Sequence, residues 1–281
     1  MNHKPPMFKL VPGRKMDPSL RLVQSLRRLK NEFGACCLKL STEDAGMSFD
    51  QIQYWTQLAE GVLPVMVKIG GPNARNDIKQ LLSFNIDGLI APMVESPYGL
   101  ENFLAAVRDF TTPMQMQRLA KQINIETGTA VEQLDRILAC PEAGLLDEIT
   151  IGCSDLSKSL KQDRMHPDVN MRVSEAVTKI KAKNINVSIG GGITPDTIDV
   201  ILNDTRPHKF NTRMVTFQVN PDESYRTAVA ETLRFELEML KHDYKQGFIS
   251  LDEEKFRARE LKKRLAELHN RDEPLAIPRK Y

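Results

Sequence analysis

The stretch I-N-I-E-T-G-T-A-V-E-Q-L-D-R-I-L-A (residues 123–139), followed by L-L-D-E-I-T-I-G-C-S-D-L-S-K-S-L (residues 145–160), decides the fold. Each half opens on a short isoleucine-rich run that reads as a strand and passes into a helical pattern. Strand, helix, strand, helix implies parallel strands, because parallel neighbours need a crossover between them. Glu126 closes the first strand and Asp155 lies just past the second. In an α/β barrel that end of the strands is the catalytic face. Two carboxylates converging there, without a His or Cys cluster beside them, suit a hard divalent cation, Mg2+ or Mn2+.

The same alternation runs outward along most of the chain. Strands are expected at Ala35–Leu40, Pro64–Ile69, Gly88–Val94, Ile123–Glu126, Glu148–Gly152, Ile185–Ile189 and Phe210–Val219, with a weak one at Met7–Leu10. Asp17 can cap a helix that starts at Pro18 and carries Leu20, Val23, Leu26 and Leu29 on one stripe. Seven clear strands and one weak one close as a (β/α)8 TIM barrel. A doubly wound open sheet is the alternative; charged residues recurring at strand ends favour the barrel. Residues 1–220 then form a barrel catalytic domain, 221–270 a C-terminal helical extension and 271–281 an irregular tail. The extension reads as a hairpin broken at Gly247 that either plugs the barrel bottom or builds an oligomer.

Composition excludes several classes. The chain has 281 residues, 41% hydrophobic and 27% charged, with a net charge of +2, values of a soluble globular protein. Neither nucleic-acid nor membrane binding is expected. No run of 18 apolar residues exists, and the opening residues lack a signal-peptide core. Cys36, Cys37, Cys140 and Cys153 have no metal-finger spacing, so the expected compartment is cytoplasmic. The five histidines are scattered outside any catalytic motif. The segment G-G-G-I-T-P lacks the lysine of a phosphate-binding nucleotide loop.

Parallel strands are covered on both faces and should be almost wholly apolar. Several here are not. Lys39, Ser41 and Glu43 share one side of their strand, Lys68 falls within its own, Asn124 and Glu126 share a face, and Arg213 interrupts an apolar run. One reading places these side chains in the barrel mouth, facing an anionic ligand or a metal. The other is a structural network of Lys–Glu pairs inside the barrel. In V-S-I-G-G-G-I-T-P-D-T-I (187–198), Gly191 and Gly192 allow a ligand close to the backbone, Thr194 can cap the next helix and Pro195 can start it. A tight turn that needs glycine for geometry alone is the alternative.

These motifs resemble the metal-dependent HpcH/HpaI aldolase and citrate lyase β-subunit family. I-E-T, the helix with L-D-x-I and I-G-x-x-D-L-S occur in the family's order. A-P-M-V-E-S (91–96), preceded by D-I-K-Q-L-L and I-D-G, is a further match, and F-N-T-R-M-V (210–215) is similar to an F-E-T-R segment of one branch. The resemblance implies a (β/α)8 barrel, a swapped C-terminal helix, and homo-oligomers, trimers or hexamers. It implies Glu126 and Asp155 as metal ligands and Gly152, Cys153 and Ser154 as the substrate-carboxylate segment. Glu43 corresponds to the family's acidic residue at the second strand end. Two positions depart from the pattern. Lys68 stands where the family has an arginine, so it offers a point charge instead of a bidentate fork. Asp44 stands where the aldolases have a proton-transferring histidine.

The expected function is a carbon–carbon lyase or aldolase acting through the enolate of a 2-oxo acid, pyruvate- or oxaloacetate-like, chelated to the cation. Lys68, Glu43, Asp44 and Arg213 are the expected catalytic residues. Lys39, Gly191 and Gly192 join the substrate-binding set, which accepts a carboxylated or phosphorylated substrate. Rival readings are Schiff-base chemistry at Lys39 or Lys68 and a catalytically silent barrel that binds a metabolite.

Overall fold

The computed structural model describes residues 17–221 and 223–266. The Met7–Leu10 strand, His3, His269 and the 271–281 tail lie outside the described residues. In chain order the elements are α1 (Pro18–Phe33), β1 (Ala35–Ser41), α2 (Phe49–Ala59), β2 (Val65–Lys68), α3 (Arg75–Leu81), β3 (Gly88–Ala91), α4 (Pro97–Asp109) and α5 (Pro113–Arg118). They continue with β4 (Ala120–Ile125), α6 (Gly128–Glu132), α7 (Leu134–Ala139), β5 (Glu148–Gly152), α8 (Cys153–Ser159), α9 (Pro167–Lys181), β6 (Asn186–Gly190) and α10 (Ile198–Thr205). The last are β7 (Lys209–Asn211), β8 (Val215–Gln218), α11 (Arg226–Gln246) and α12 (Leu251–Ala266).

The eight strands close a barrel in sequential order. β1 through β7 pair in parallel, but β8 is antiparallel to both β7 and β1. The barrel therefore departs from eight parallel units. The expected single strand Phe210–Val219 is instead a hairpin. Thr212 closes its turn: its hydroxyl donates to the Val215 carbonyl at 2.9 Å and accepts the Val215 N–H at 3.0 Å. No glycine or Asn-Gly pair marks the turn, so the run reads as continuous. An antiparallel pair needs no crossover helix, and the hairpin supplies the closing strand that Met7–Leu10 was expected to provide.

Helix starts follow their caps. The Asp17 carboxylate accepts the Ser19 N–H, with Pro18 at the first position. Ser48, Ser96 and Thr112 do the same for α2, α4 and α5. Pro195 does not start a helix. Thr194 and Thr197 close a turn on each other, and α10 begins only at Ile198.

Outward-facing strand residues, among them Leu38, Leu40, Val67, Ile123, Ile151 and Ile189, are fully buried against the helices. The side chains between them point inward and are mostly polar. Among the described residues, the C-terminal hairpin packs on helices at the side of the barrel. α11 packs along α1 and α2. Asp243 accepts Trp55 Nε1–H at 2.8 Å and Gln51 Nε2–H at 2.9 Å. Leu233 and Leu240 of α11 pack on Ala258 and Leu261 of α12. Near its end, α12 sends Arg264 to the Ile193 carbonyl, beyond β6.

Candidate active site

The C-terminal ends of β1, β2, β4, β5 and β6 converge on one mouth. From β4, Glu126 follows Asn124 on the inward face, and it is buried, 4% exposed. Its Oε1 accepts the Met93 N–H at 2.9 Å and its Oε2 accepts Asn124 Nδ2–H at 3.2 Å. Met93 belongs to the A-P-M-V-E-S segment and has φ 54°, an uncommon conformation for a non-glycine residue. That conformation aims its N–H at Glu126. Nothing in the side-chain pattern of Met93 foretells this role, because a backbone group plays it.

Gly152 at the end of β5 faces the same carboxylate. A Cβ there would lie 2.4 Å from Glu126 Oε2 and 2.5 Å from Glu126 Cβ. Glycine at 152 is thus the condition for Glu126 to sit where it does. Asp155 follows in the first turn of α8, and its Oδ1 accepts Lys158 Nζ–H at 3.0 Å on the exposed side. Burial pushes the Glu126 carboxyl up, against the Met93 N–H and the Lys68 charge, and the Asp155 charge adds to the rise. The two carboxylates therefore feel one another. Asn124 Oδ1 is buried without a hydrogen-bond partner. Two carboxylates, one raised by the charge of the other, and an amide oxygen left without a partner among the described residues are hard oxygens of the kind a divalent cation takes.

β1 and β2 bring the basic residues. Lys68 Nζ lies 2.6 Å from Glu43 Oε2 and 3.3 Å from Asp44 Oδ1. Burial alone would lower the Lys68 amine, but Asp44 and Glu43 outweigh it and the net shift is upward. Burial likewise opposes the ionised Asp44, yet Lys68, the Ser41 hydroxyl, Lys39 and Arg213 hold its carboxyl at about 2. The Lys39 amine makes no hydrogen bond or ion pair among the described residues. Burial pushes its amine down, the Asp44 charge opposes this and the Lys68 charge adds to it. Arg213 sits in the β7–β8 turn and donates through Nη2 to the Asp44 carbonyl at 2.9 Å.

The glycine loop after β6 packs on the start of α8. A Cβ on Gly191 (φ +85°) would lie 2.6 Å from Ser154 N and Oγ, and one on Gly192 would lie 2.7 Å from Arg164 Cγ. Cys153 is fully buried, its thiol turned toward the Ile151 carbonyl at 3.5 Å, so only its backbone can serve the mouth. Arg164, which the sequence did not single out, donates to the Gly191 carbonyl at 3.4 Å and to Asn170 Oδ1 at 2.9 Å. His166 caps α9 through Nδ1.

Two other features lie apart from these residues. A surface hollow of about 600 Å3, lined by Lys30, Glu60 and Asp87 among others, contains none of them. Glu101, Cys140 and Glu142 bring three ligand-type atoms within 4.8 Å of one another on the flank of the barrel. Burial and then Glu142 push the Cys140 thiol up to about 11. Charge and convergence, not volume, mark the mouth.

Known proteins share the fold. Several solved structures match the fold: an HpcH/HpaI aldolase/citrate lyase family protein from Burkholderia cenocepacia (17% identity, 68% of this chain and 92% of that one, TM-score 0.53), an HpcH/HpaI aldolase from Desulfitobacterium hafniense (19%, 64% and 78%, 0.53) and citrate synthase SbnG (16%, 78% and 97%, 0.54). No curated protein matches the chain. The family model HpcH/HpaI aldolase/citrate lyase matches residues 44–196, more than half of the sequence, which takes in Asp44, Lys68, Glu126 and Asp155. With the mouth built as described, the chain belongs to the HpcH/HpaI aldolase/citrate lyase family and is a carbon–carbon lyase.

Proposed function

We propose that this lyase is metal-dependent and acts on a 2-oxo acid, pyruvate- or oxaloacetate-like, through its enolate. The observation that carries the reading is Glu126: a buried carboxylate with both oxygens aimed by donors, seated on Gly152 and coupled to Asp155. Glu126 and Asp155 would hold Mg2+ or Mn2+. When bound, the cation supplies Lewis-acid stabilisation of the negative charge that carbon–carbon cleavage develops. The backbone of Gly152, Cys153 and Ser154 would orient the substrate carboxylate.

Lys68 stays protonated between Glu43 and Asp44 and presents a positive charge to an anionic substrate. Asp44, held at about 2, is a weak proton acceptor near neutral pH. It positions Lys68 instead, and Arg213 grips its backbone. Glu43, 2.6 Å from the Lys68 amine, is the carboxylate we assign to proton transfer. Substrates of this kind and a homo-oligomer, trimer or hexamer, in the cytoplasm complete the reading.

The test is turnover of a panel of 2-oxo acids, with and without Mg2+ or Mn2+, by the native protein and by Glu126→Gln and Asp155→Asn. Cleavage should need the cation, and each variant should lose roughly 10²-fold or more. Full turnover in the presence of a chelator would sink the reading. A second reading has its own observation: the Lys39 amine, unlike that of Lys68, has no partner among the described residues and is lowered by burial, which suits Schiff-base attack on a carbonyl. Borohydride trapping of a substrate carbon on Lys39 would establish it.

A further inference from the structure

Two loops at the rim of the mouth are tied together by a carboxylate that stands outside the lyase site. Asp77 lies in the first turn of α3. Its Oδ2 accepts the Thr42 hydroxyl at 2.6 Å and the Gly70 N–H at 2.9 Å. Thr42 directly precedes Glu43 and Asp44, and Gly70 lies two residues past Lys68. One oxygen atom therefore joins the two chain segments that carry these three charged residues. Asp77 pairs with no cation among the described residues, and it is not the cap of its helix, a place held by Ala74.

The segments need such a tie. β1 ends at Ser41, in register with Lys68 of β2, and the Thr42 N–H still donates to the Lys68 carbonyl at 3.0 Å. Beyond Thr42 the chain leaves the sheet and returns where the Met47 N–H meets the Ser41 carbonyl at 3.0 Å. Within this excursion the Ser41 hydroxyl accepts the N–H groups of Glu43 and Asp44, each at 3.1 Å. Those bonds shape the loop, whereas Asp77 fixes where it stands against the chain beyond Lys68. Hydrogen bonds to an ionised acceptor are about twice as strong as neutral ones. The Lys68 amine lies 2.6 Å from Glu43 Oε2 and 3.3 Å from Asp44 Oδ1. A shift of about 1 Å would break the closer contact, and misplacement on that scale can cost about 100-fold in rate.

We propose that Asp77 is a positioning residue of the lyase site, which sets the spacing between Lys68 and the loop of Glu43 and Asp44 through Thr42 and Gly70. Its effect on turnover rests on Lys68 and Glu43 working as proposed; its effect on their spacing does not. Without the Asp77 carboxylate, the Thr42 hydroxyl and the Gly70 N–H lose their shared acceptor. Lys68 stays on β2 with its charge, so an anionic substrate is still attracted, but Glu43 no longer stands beside it.

The experiment compares the native protein with Asp77→Ala, Thr42→Val and Thr42→Ser in two measurements. The first needs no substrate: the full chain is treated with an N-hydroxysuccinimide ester of acetate, and acetylation of each lysine is followed by mass spectrometry. Burial lowers the Lys68 amine while Asp44 and Glu43 raise it, so withdrawing the carboxylates leaves more of the reactive unprotonated amine. Labelling of Lys68 should rise several-fold in Asp77→Ala and Thr42→Val and stay native in Thr42→Ser, which keeps the hydroxyl. Lys121, similarly buried and held by the Leu119 carbonyl at 2.6 Å, is the internal control and should not change. The second measurement is turnover of the 2-oxo acid panel with Mg2+. In Asp77→Ala and Thr42→Val, kcat should fall roughly tenfold or more with KM held within about twofold, and Thr42→Ser should keep its rate. Unchanged Lys68 labelling in Asp77→Ala, an equal rise at Lys121, or an unchanged kcat beside a freed Lys68 would overturn the proposal. Absence of turnover by the native protein would instead sink the 2-oxo acid reading, and the labelling would still decide whether Asp77 sets the spacing.

Discussion

The two ends of the barrel interior are both polar, yet they are built differently. At the lower end, Lys209 Nζ meets Glu148 Oε2 at 2.6 Å. Gln122 bridges Glu148 and Thr150, Thr150 meets Ser188 at 2.7 Å, Asn211 donates to Ser188 at 2.9 Å and Thr216 donates to Asn211 at 2.6 Å. None of these side chains is among the buried groups left without a partner. At the mouth, among the described residues, Asn124 Oδ1 and Arg213 Nε have no hydrogen-bond partner, the Lys39 amine has no ion pair and the Glu126 carboxyl feels the Asp155 charge. A closed network serves stability, whereas an open one stores interactions for something that arrives. The structural explanation of buried charge describes the lower end, and the functional one is what we propose for the mouth.

The sharpest way to break this contrast is to remove one carboxylate from each end. Glu148→Ala leaves Lys209 without its partner inside a closed network and should cost about 3 kcal/mol of unfolding free energy. Glu126→Ala removes a carboxylate that is already disfavoured by burial and by Asp155, so it should cost far less while abolishing turnover. Urea unfolding of both variants decides the matter. A larger stability loss in Glu126→Ala than in Glu148→Ala would reverse the assignment of the two ends.

A smaller effect is expected from Gly152→Ala. The added Cβ would lie 2.4 Å from Glu126 Oε2, and overpacking of this kind costs about 1–3 kcal/mol. The carboxylate can move only by giving up Met93 N–H or Asn124. Metal-dependent turnover and metal affinity should both fall, with the fold intact by circular dichroism. Unchanged metal affinity in a folded Gly152→Ala protein would show that Glu126 has room the structure does not give it.

Much of this was legible in the residues themselves. Ile123, Ile125, Ile149 and Ile151 alternate with Asn124, Glu126, Thr150 and Gly152, and the structure keeps that alternation, apolar outward and polar inward. The barrel follows from the repeated strand–helix order. What escaped depends on contacts between distant segments or on backbone. The β7–β8 turn rests on a threonine hydroxyl instead of a turn dipeptide. The Met93 N–H has no side-chain signature. Glu236 reads as one more charge on a long polar helix, yet it is 2% exposed. Lys39 and Lys68 look alike in sequence, and only the loop that carries Glu43 and Asp44 to Lys68 separates them.

Asp243 sharpens the contrast at the smallest expected scale. It is a buried carboxylate whose two oxygens are both satisfied, by Trp55 and Gln51, yet no cation among the described residues pairs with it. Burial pushes its carboxyl from 3.8 up to about 6, although both donors pull the other way. Because the folded value is raised, the folded state holds the proton more tightly than the unfolded chain. The stabilisation is complete below about 3.8 and is lost as pH rises through about 6. Docking of α11 on α2 should therefore weaken over that window by on the order of 1–2 kcal/mol, allowing for local relaxation. Asp243→Asn cannot titrate and should flatten the slope. Trp55 is the only tryptophan in the chain, so its fluorescence reports directly on this contact during urea melts at pH 4 and pH 7. A stability difference between the native protein and Asp243→Asn that is the same at both pH values would show that hydrogen bonding alone keeps Asp243 ionised. Satisfied donors would then suffice to hold a buried charge without a cation, and the lower network's Lys209 would be dispensable to Glu148.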